Sequence, residues 1–462
     1  MSENSDAQPA GQGANQKLLF LELAPGISPL NAITFLYAAF ATIGLLTFVS
    51  TGTAQVLNAM GIPVAEHGDA SKDLVIVAEI VQILVFFVAG VAADRIGRRE
   101  VAAAGIFIMG ISYNLYPFAT TLNELLVYRG IYAFGLGGAA GMVGTLIADY
   151  SADKSRSVFV AVGGIFNGLG VVIITLVIAA NLAPYLVDQG YTPIEATKLT
   201  HYTIAGMCYV SAIIFFLGLK AGTPGAKEER PPVSDLVVSG FSEAVKNPRI
   251  ALSYCCAFVA RSDQVILGTF TVLWGTNVAM EQLGVDYATA SGKGGMIFGI
   301  AGTASLIFLP ILGFLIRNAN RVTAVIICMT LASLGYGGTY FIDETTMFNE
   351  TGFPLGTEAA VLFALLGIGQ ICAFMGATLL ISAEAPKLKR GAVVGMFNMW
   401  GAIGIFIAVY FGGQMFDSIG GYAPFLLIGS INAFVVVLAI ICRIYWPGVK
   451  PGEMDDSGVV AH

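Results

Sequence analysis

Twelve long apolar stretches run through this chain, and no other feature limits its possible folds as much. They lie at roughly 31–51, 73–93, 100–119, 124–149, 157–184, 201–219, 248–275, 292–316, 322–341, 358–383, 391–416 and 423–446. About 20 mostly apolar residues suffice for an α-helix to cross the hydrocarbon of a bilayer. In that solvent every backbone N–H and C=O must bond inside the protein, so only helices and closed barrels span it. The ten-residue alternating strands of a barrel are absent. The expected fold is therefore all-α, with 12 transmembrane helices. Only 11% of residues are charged while 56% are hydrophobic. A soluble domain carries about 25% charged residues, so a water-soluble enzyme is excluded. High hydrophobicity excludes disorder outside the ends.

An even span count puts both termini on one side. With the N-terminus cytoplasmic, eighteen of the 23 Lys and Arg residues fall in cytoplasmic segments. Lys72, Lys198 and Lys293 fall outside, and Arg129 and Arg261 lie within spans. This asymmetry is the one the positive-inside rule demands. A bacterial inner membrane with both ends cytoplasmic is the expected location. Residues 1–16 are polar and lack a signal peptide, so a disordered tail is expected there.

The chain divides into a tail (1–30), a six-helix unit (31–219), a linker (220–247), a second six-helix unit (248–446) and a tail (447–462). The linker begins Pro-rich. Ser234 then reads as the N-cap of a short amphipathic helix carrying Val237, Phe241 and Val245, lying on the inner membrane face. The units echo each other in order. Gly90-Val91-Ala92-Ala93-Asp94-Arg95 after span two matches Gly313-Phe314-Leu315-Ile316-Arg317-Asn318 after span eight. Gly164-Ile165-Phe166-Asn167 in span five matches Gly395-Met396-Phe397-Asn398 in span eleven. Parallel repeats of this kind suit a protein that shows one central site to each side in turn.

The segment Gly90-x-x-x-Asp94-Arg95-x-Gly97-Arg98-Arg99 resembles the loop-2/3 signature of the major facilitator superfamily, a family of 12-helix secondary transporters. Arg129-Gly130, followed by Gly135, Gly137, Gly138 and Gly141, is similar to the family's span-four arginine motif. The resemblance covers 31–446 and implies alternating access by rocking of two pseudo-symmetric six-helix bundles. Two departures stand out: Arg317 occupies the aspartate position of the second loop copy, and span five has no Gly-Pro pair.

The gate implied by the resemblance has a physical basis. Asp94 can accept from a helix N-terminus or a nearby cation. Arg95, Arg98 and Arg99 can pair with Asp149 at the inner end of span four. Gly90 and Gly97 permit close helix approach and a tight turn. Deeper in the membrane lie Glu79, Arg129, Arg261 and Asp263. Each buried charge costs about 2.5–3.5 kcal/mol on insertion scales, which calls for a reason: a functional site or satisfied structural ion pairs. Glu79 is about 22 Å from Asp94 along a helix. Arg261 and Asp263 point about 200° apart. Arg261, with Gln264 on its face, is placed in the cavity as a substrate contact. Asp263 is placed against a neighbouring helix, and it and Glu79 are the proton-carrier candidates. Asn167 and Asn398 are expected to face the cavity from each half.

The first reading is a proton-coupled secondary transporter of a small organic solute, anionic or zwitterionic because of the two arginines, working as a monomer in the lipid bilayer. Multidrug export competes, and the missing Gly-Pro counts against it. A transporter-like receptor would call for a large extramembrane domain, which is absent. A membrane enzyme finds no P-loop, histidine cluster or nucleophile elbow. The six cysteines lie in apolar runs without a CxxC, so no metal or cofactor is expected. Net charge −7 offers nothing to nucleic acid.

Overall fold

The computed structural model describes residues 17–19, 21–62, 67–222, 233–285, 287–349 and 355–448. The expected disordered tail 1–16, the Pro-rich part of the linker and the C-terminal tail from 449 lie outside the described residues.

Fourteen α-helices account for nearly all of it. They are α1 (Pro29–Ala59), α2 (His67–Ile96), α3 (Arg98–Leu115), α4 (Leu122–Tyr150), α5 (Arg156–Gly170), α6 (Ala180–Asp188), α7 (Pro193–Gly218), α8 (Val233–Lys246), α9 (Pro248–Leu283), α10 (Tyr287–Leu315), α11 (Arg321–Gly338), α12 (Thr357–Glu384), α13 (Arg390–Ser418) and α14 (Ala423–Tyr445). Twelve helical segments are long and apolar enough to cross a membrane. Several helices outrun their apolar windows. For example, α9 has 36 residues, because its final turns continue past the apolar run. The chain itself sets these limits. Asn247 caps α9 by accepting the Arg249 N–H, and Gly284 ends it at φ 62°. The stretch expected as one span at 157–184 runs as α5, a π-helical segment Val171–Ala179, and α6.

Buried apolar side chains gather in two large clusters. One joins α1–α5 and α7 and takes in Leu309 and Leu312 of α10, Cys328 of α11 and Met375 of α12. The other joins α9–α14. Leu84, Ile307, Leu334 and Ile444 instead point outward, each more than 60% exposed. In a water-soluble protein such exposure would be a liability; in a bilayer it is a lipid-facing surface.

Two short segments differ from expectation. The linker helix begins at Val233, so Ser234 lies inside its first turn and is not the N-cap; its hydroxyl faces Asp235. The helix also packs inward: Leu236 is buried with Val91 and Ala392, and the Tyr254 hydroxyl donates to the Gly240 carbonyl. The chain ahead of the first span is not a free tail in its described part. Strands β1 (Lys17–Leu18) and β2 (Leu21–Glu22) pair antiparallel. Leu21, Leu23 and Ile27 are buried against the first cluster, and that burial holds the segment down.

Candidate functional site

The two halves are joined by polar bridges at the end that carries the basic loops. Helix α2 meets α13 there at backbone distance. A Cβ added at Gly90 would strike the Gly391 carbonyl, and one added at Gly391 would strike the Gly90 carbonyl, so only glycine fits on either side. Gly97 turns the chain between α2 and α3 at φ 119°. The close approach lets Asp94, with its side chain fully buried, reach the first turn of α13. It accepts the Gly391 N–H at 2.9 Å and the Ala392 N–H at 2.8 Å. These are N-terminal amides with no partner inside their own helix, and the helix dipole adds to their pull on a carboxylate.

Arg98 lies 3.1 Å from Asp94 and 2.5 Å from Asp149. The other oxygen of Asp149 takes Arg390 from the opposite half at 2.6 Å, and Arg390 also donates to the carbonyls of Ala148 and Ala385. Of the three arginines proposed as partners of Asp149, only Arg98 is one. Arg99 turns to its neighbour Glu100, and Arg95 is half-buried with no ion pair among the described residues. The second partner, Arg390, was missed. Its signal was a basic residue opening span eleven, as Arg156 opens span five.

The second half supplies its own contact at this end despite lacking the aspartate. Arg321, first residue of α11 as Arg98 is of α3, donates to the Asp153 carbonyl at 2.7 Å and to its carboxylate at 3.2 Å. Glu384, which ends α12 as Asp149 nearly ends α4, stays within its half, held by Arg249 and Asn247.

About 22 Å further along α2 lies a second polar group. Glu79 sits within electrostatic reach of both Arg129 of α4 and Arg261 of α9. Gln82, one turn on, approaches its Oε1 at 3.5 Å, while its Oε2 is buried without a hydrogen bond. Arg261 donates to Asn398 of α13 at 3.1 Å, and its guanidinium lies 4.7 Å above the Phe86 ring of α2. Its stem crosses Gly401, where any side chain would collide with it. Arg129 lies 5.0 Å over Tyr132, with Nε and Nη1 buried and unbonded. The Tyr132 hydroxyl is anchored on the Leu46 carbonyl, which fixes the ring. Thr53 and Arg129 both border the Tyr116 hydroxyl, and Tyr116 stacks on the buried His201. Besides that group, Glu79 Oε2, Arg129 Nε and Nη1, and His201 Nε2 are buried without a hydrogen bond. More than nine in ten buried polar groups in folded proteins are paired, and this concentration of them inside the membrane is the candidate site.

The remaining candidates lie elsewhere. Asp263 is fully buried away from the cluster, where the Asn432 amide of α14 reaches both its oxygens at 3.3 Å. Gln264 is exposed and takes no part in the cluster's bonds. Asn167 sits in α5 between Gly164 and Gly168, which face Leu309 and Leu306 of α10; its Oδ1 is buried and unbonded. Asn398 thus meets Arg261, whereas its repeat partner Asn167 has no such arginine.

The comparisons with known proteins agree with this architecture. The family model described as Major Facilitator Superfamily matches residues 30–348 and, overlapping, 265–457. The chain is 25% identical to magnetosome protein MamH of Paramagnetospirillum magneticum (strain ATCC 700264 / AMB-1) over 435 residues, 92% of this chain and 95% of MamH. It is 25% identical to magnetosome protein MamZ of Magnetospirillum gryphiswaldense over 423 residues, spanning 86% of this chain but 60% of MamZ. Among solved structures, the transporter FucP in the outward conformation superposes with a TM-score of 0.67 at 14% identity, covering 90% of this chain and 98% of FucP. With its twelve membrane helices, the chain belongs to the Major Facilitator Superfamily, a family of transporters and not of enzymes.

Proposed function

We propose that the protein is a proton-coupled secondary transporter of a small organic anion or zwitterion, acting as a monomer by alternating access between two six-helix bundles. In this reading both termini are cytoplasmic, the membrane is a bacterial inner membrane, and the bridged end is the closed inner gate. The observation that carries the reading is the Glu79–Arg129–Arg261 cluster. Its carboxylate and one arginine come from the first half, and the other arginine comes from the second.

Two arginines against one glutamate leave one net positive charge in a desolvated place. A carboxylate or phosphate on the substrate complements that charge, while a cationic drug meets repulsion, which counts against multidrug export. Asn398 and Phe86 fix the direction of Arg261. The coupling step follows from competition. A substrate anion that engages Arg129 and Arg261 takes over the countercharge that Glu79 had provided. Glu79, left in a poorly solvated site beside another anion, then takes up a proton. Substrate and proton are thereby bound together. Asp263, facing only an amide, is the second candidate carrier.

The test is binding to purified protein across a panel of organic anions, zwitterions and cations, comparing wild type with Arg261→Ala. Saturable binding of an anion or zwitterion, weakened at least about tenfold by the substitution, supports the reading. Binding of cations alone, or binding indifferent to Arg261, refutes it.

A further inference from the structure

We propose that the segment ahead of the first span, residues 21–28, is a clamp that holds the two gate acceptors Asp149 and Asp153 in place, so that loosening it opens the inner gate. The proposal rests on the alternating-access reading and extends it to a part of the chain outside the helical bundle.

Helix α4 ends at Tyr150, and the next helical turns begin at Asp153. The chain between them is not helical, so α4 alone cannot fix where Asp153 points. The strap does so. The Ala24 N–H donates to the Tyr150 carbonyl at 2.9 Å, and the Ala152 N–H donates to the Glu22 carbonyl at 3.0 Å. This places Leu23 opposite Ser151 in an antiparallel bridge. The Ser155 hydroxyl adds a bond to the same Glu22 carbonyl at 2.6 Å. The Tyr150 carbonyl is one of the last-turn acceptors a helix leaves unpaired, and the strap satisfies it.

Sequence supplies the anchor. Leu21 and Leu23 alternate inward with Ile27, at 3%, 0% and 3% exposure, while Leu19, ahead of the strap, is 86% exposed. The Tyr150 hydroxyl also accepts the Lys220 N–H as the chain leaves α7, tying a third strand of backbone to this point.

The clamped residues, 150–152, lie between the two acceptors. Asp149 holds Arg390 and Asp153 holds Arg321, both from the opposite half. Every bond of the strap lies within the first half, so it does not itself close the gate. It orders the acceptors in advance. Without it, the loop must lose its freedom each time the gate closes, and the closed state becomes less favourable.

The experiment measures distance distributions by paired spin labels at Ile96→Cys and Leu388→Cys in a Cys255→Ser background, with the full chain in nanodiscs. Ile96 and Leu388 are exposed at this end on opposite halves, and Cys255 is the exposed cysteine. Leu21→Asp with Leu23→Asp should raise the ratio of long to short distances about tenfold. Ser155→Ala, which removes the hydroxyl's bonds to the Glu22 and Ala152 carbonyls, should raise it about two- to threefold through the freedom returned to the loop while the gate is open. Leu19→Asp should leave it at the wild-type value. Asp149→Asn breaks the gate directly and should raise it whatever the strap does. If Asp149→Asn shifts the ratio and neither strap variant does, the clamp is wrong and the gate stands. If Asp149→Asn also leaves it unchanged, the gate reading fails and takes the clamp with it. Should the double variant not fold, Ser155→Ala decides alone.

Discussion

Asp94→Asn keeps the side chain's shape but exchanges one acceptor oxygen for an amide that can only donate. In the proposed closed gate Asp94 accepts two backbone N–H groups from α13 and one arginine from its own half. The pair with Arg98 lies within the first half, so it persists whether the gate is open or shut and drops out of the difference. The two N–H bonds cross between halves and exist only when the gate is closed. Bonds to a charged partner contribute about 1.5–3 kcal/mol each, and neutral ones about 1. An asparagine can accept one of the two N–H groups and turns a donor toward the other. The closed state therefore loses about 2–4 kcal/mol, or about 30- to 1000-fold in population ratio. The carboxylate is fully buried, so solvent does not weaken these bonds.

Asp149→Asn should do less. Only its bond to Arg390 crosses between halves, and Arg390 retains two carbonyl acceptors. A loss of about 1–2 kcal/mol follows, near tenfold. The assay is the rate of labelling of Val394→Cys by a membrane-impermeant maleimide. Val394 is buried in α13 against α4 near the gate and becomes accessible when the halves part. The reasoning predicts faster labelling in the order Asp94→Asn, then Asp149→Asn, then wild type. Equal rates for the Asp94 variant and wild type, or the reverse order of the two variants, would refute it.

Asn398→Leu removes the one amide oxygen that Arg261 donates to; substrate affinity should fall about tenfold, with helical content unchanged by circular dichroism. Gly401→Val pushes a side chain into the stem of Arg261; it should raise KM more than it lowers expression, and a folded variant with wild-type KM would show that this arginine does not meet substrate. Glu79→Gln should preserve exchange of labelled for unlabelled substrate across liposomes while abolishing the response to a pH gradient, whereas intact coupling in that variant would shift the proton to Asp263.

The membrane fold was fully legible because a bilayer leaves so few options: runs of about 20 apolar residues must be helices. Helix ends were less legible, since hydropathy marks where lipid begins and α9 keeps its hydrogen-bonded spiral beyond that point. The inward-facing charges were also legible. A charge within a span needs a reason, and Glu79, Arg129 and Arg261 do converge. The contacts of the proposed gate were legible only in part. Asp94, Gly90 and Gly97 belong to a local motif, whereas Gly391 and Ala392, which donate to Asp94, lie 297 and 298 residues away, and Arg390, the partner of Asp149, lies 241 residues from it. Only a folded chain shows which helix N-terminus the carboxylate reaches. Gln264 misled because helical phase gives a face but not what covers it. The strap escaped notice because two short strands carry too little periodicity to be read.

The account turns on a cationic site, shared by the two halves, through which solute passes with a proton. Its most direct test is uptake into proteoliposomes under an imposed pH gradient, using an anion or zwitterion that binds the purified protein. The account predicts accumulation driven by the gradient in wild type and its loss in both Arg129→Gln and Arg261→Gln, with each variant still folded. Undiminished accumulation in those two variants would contradict it.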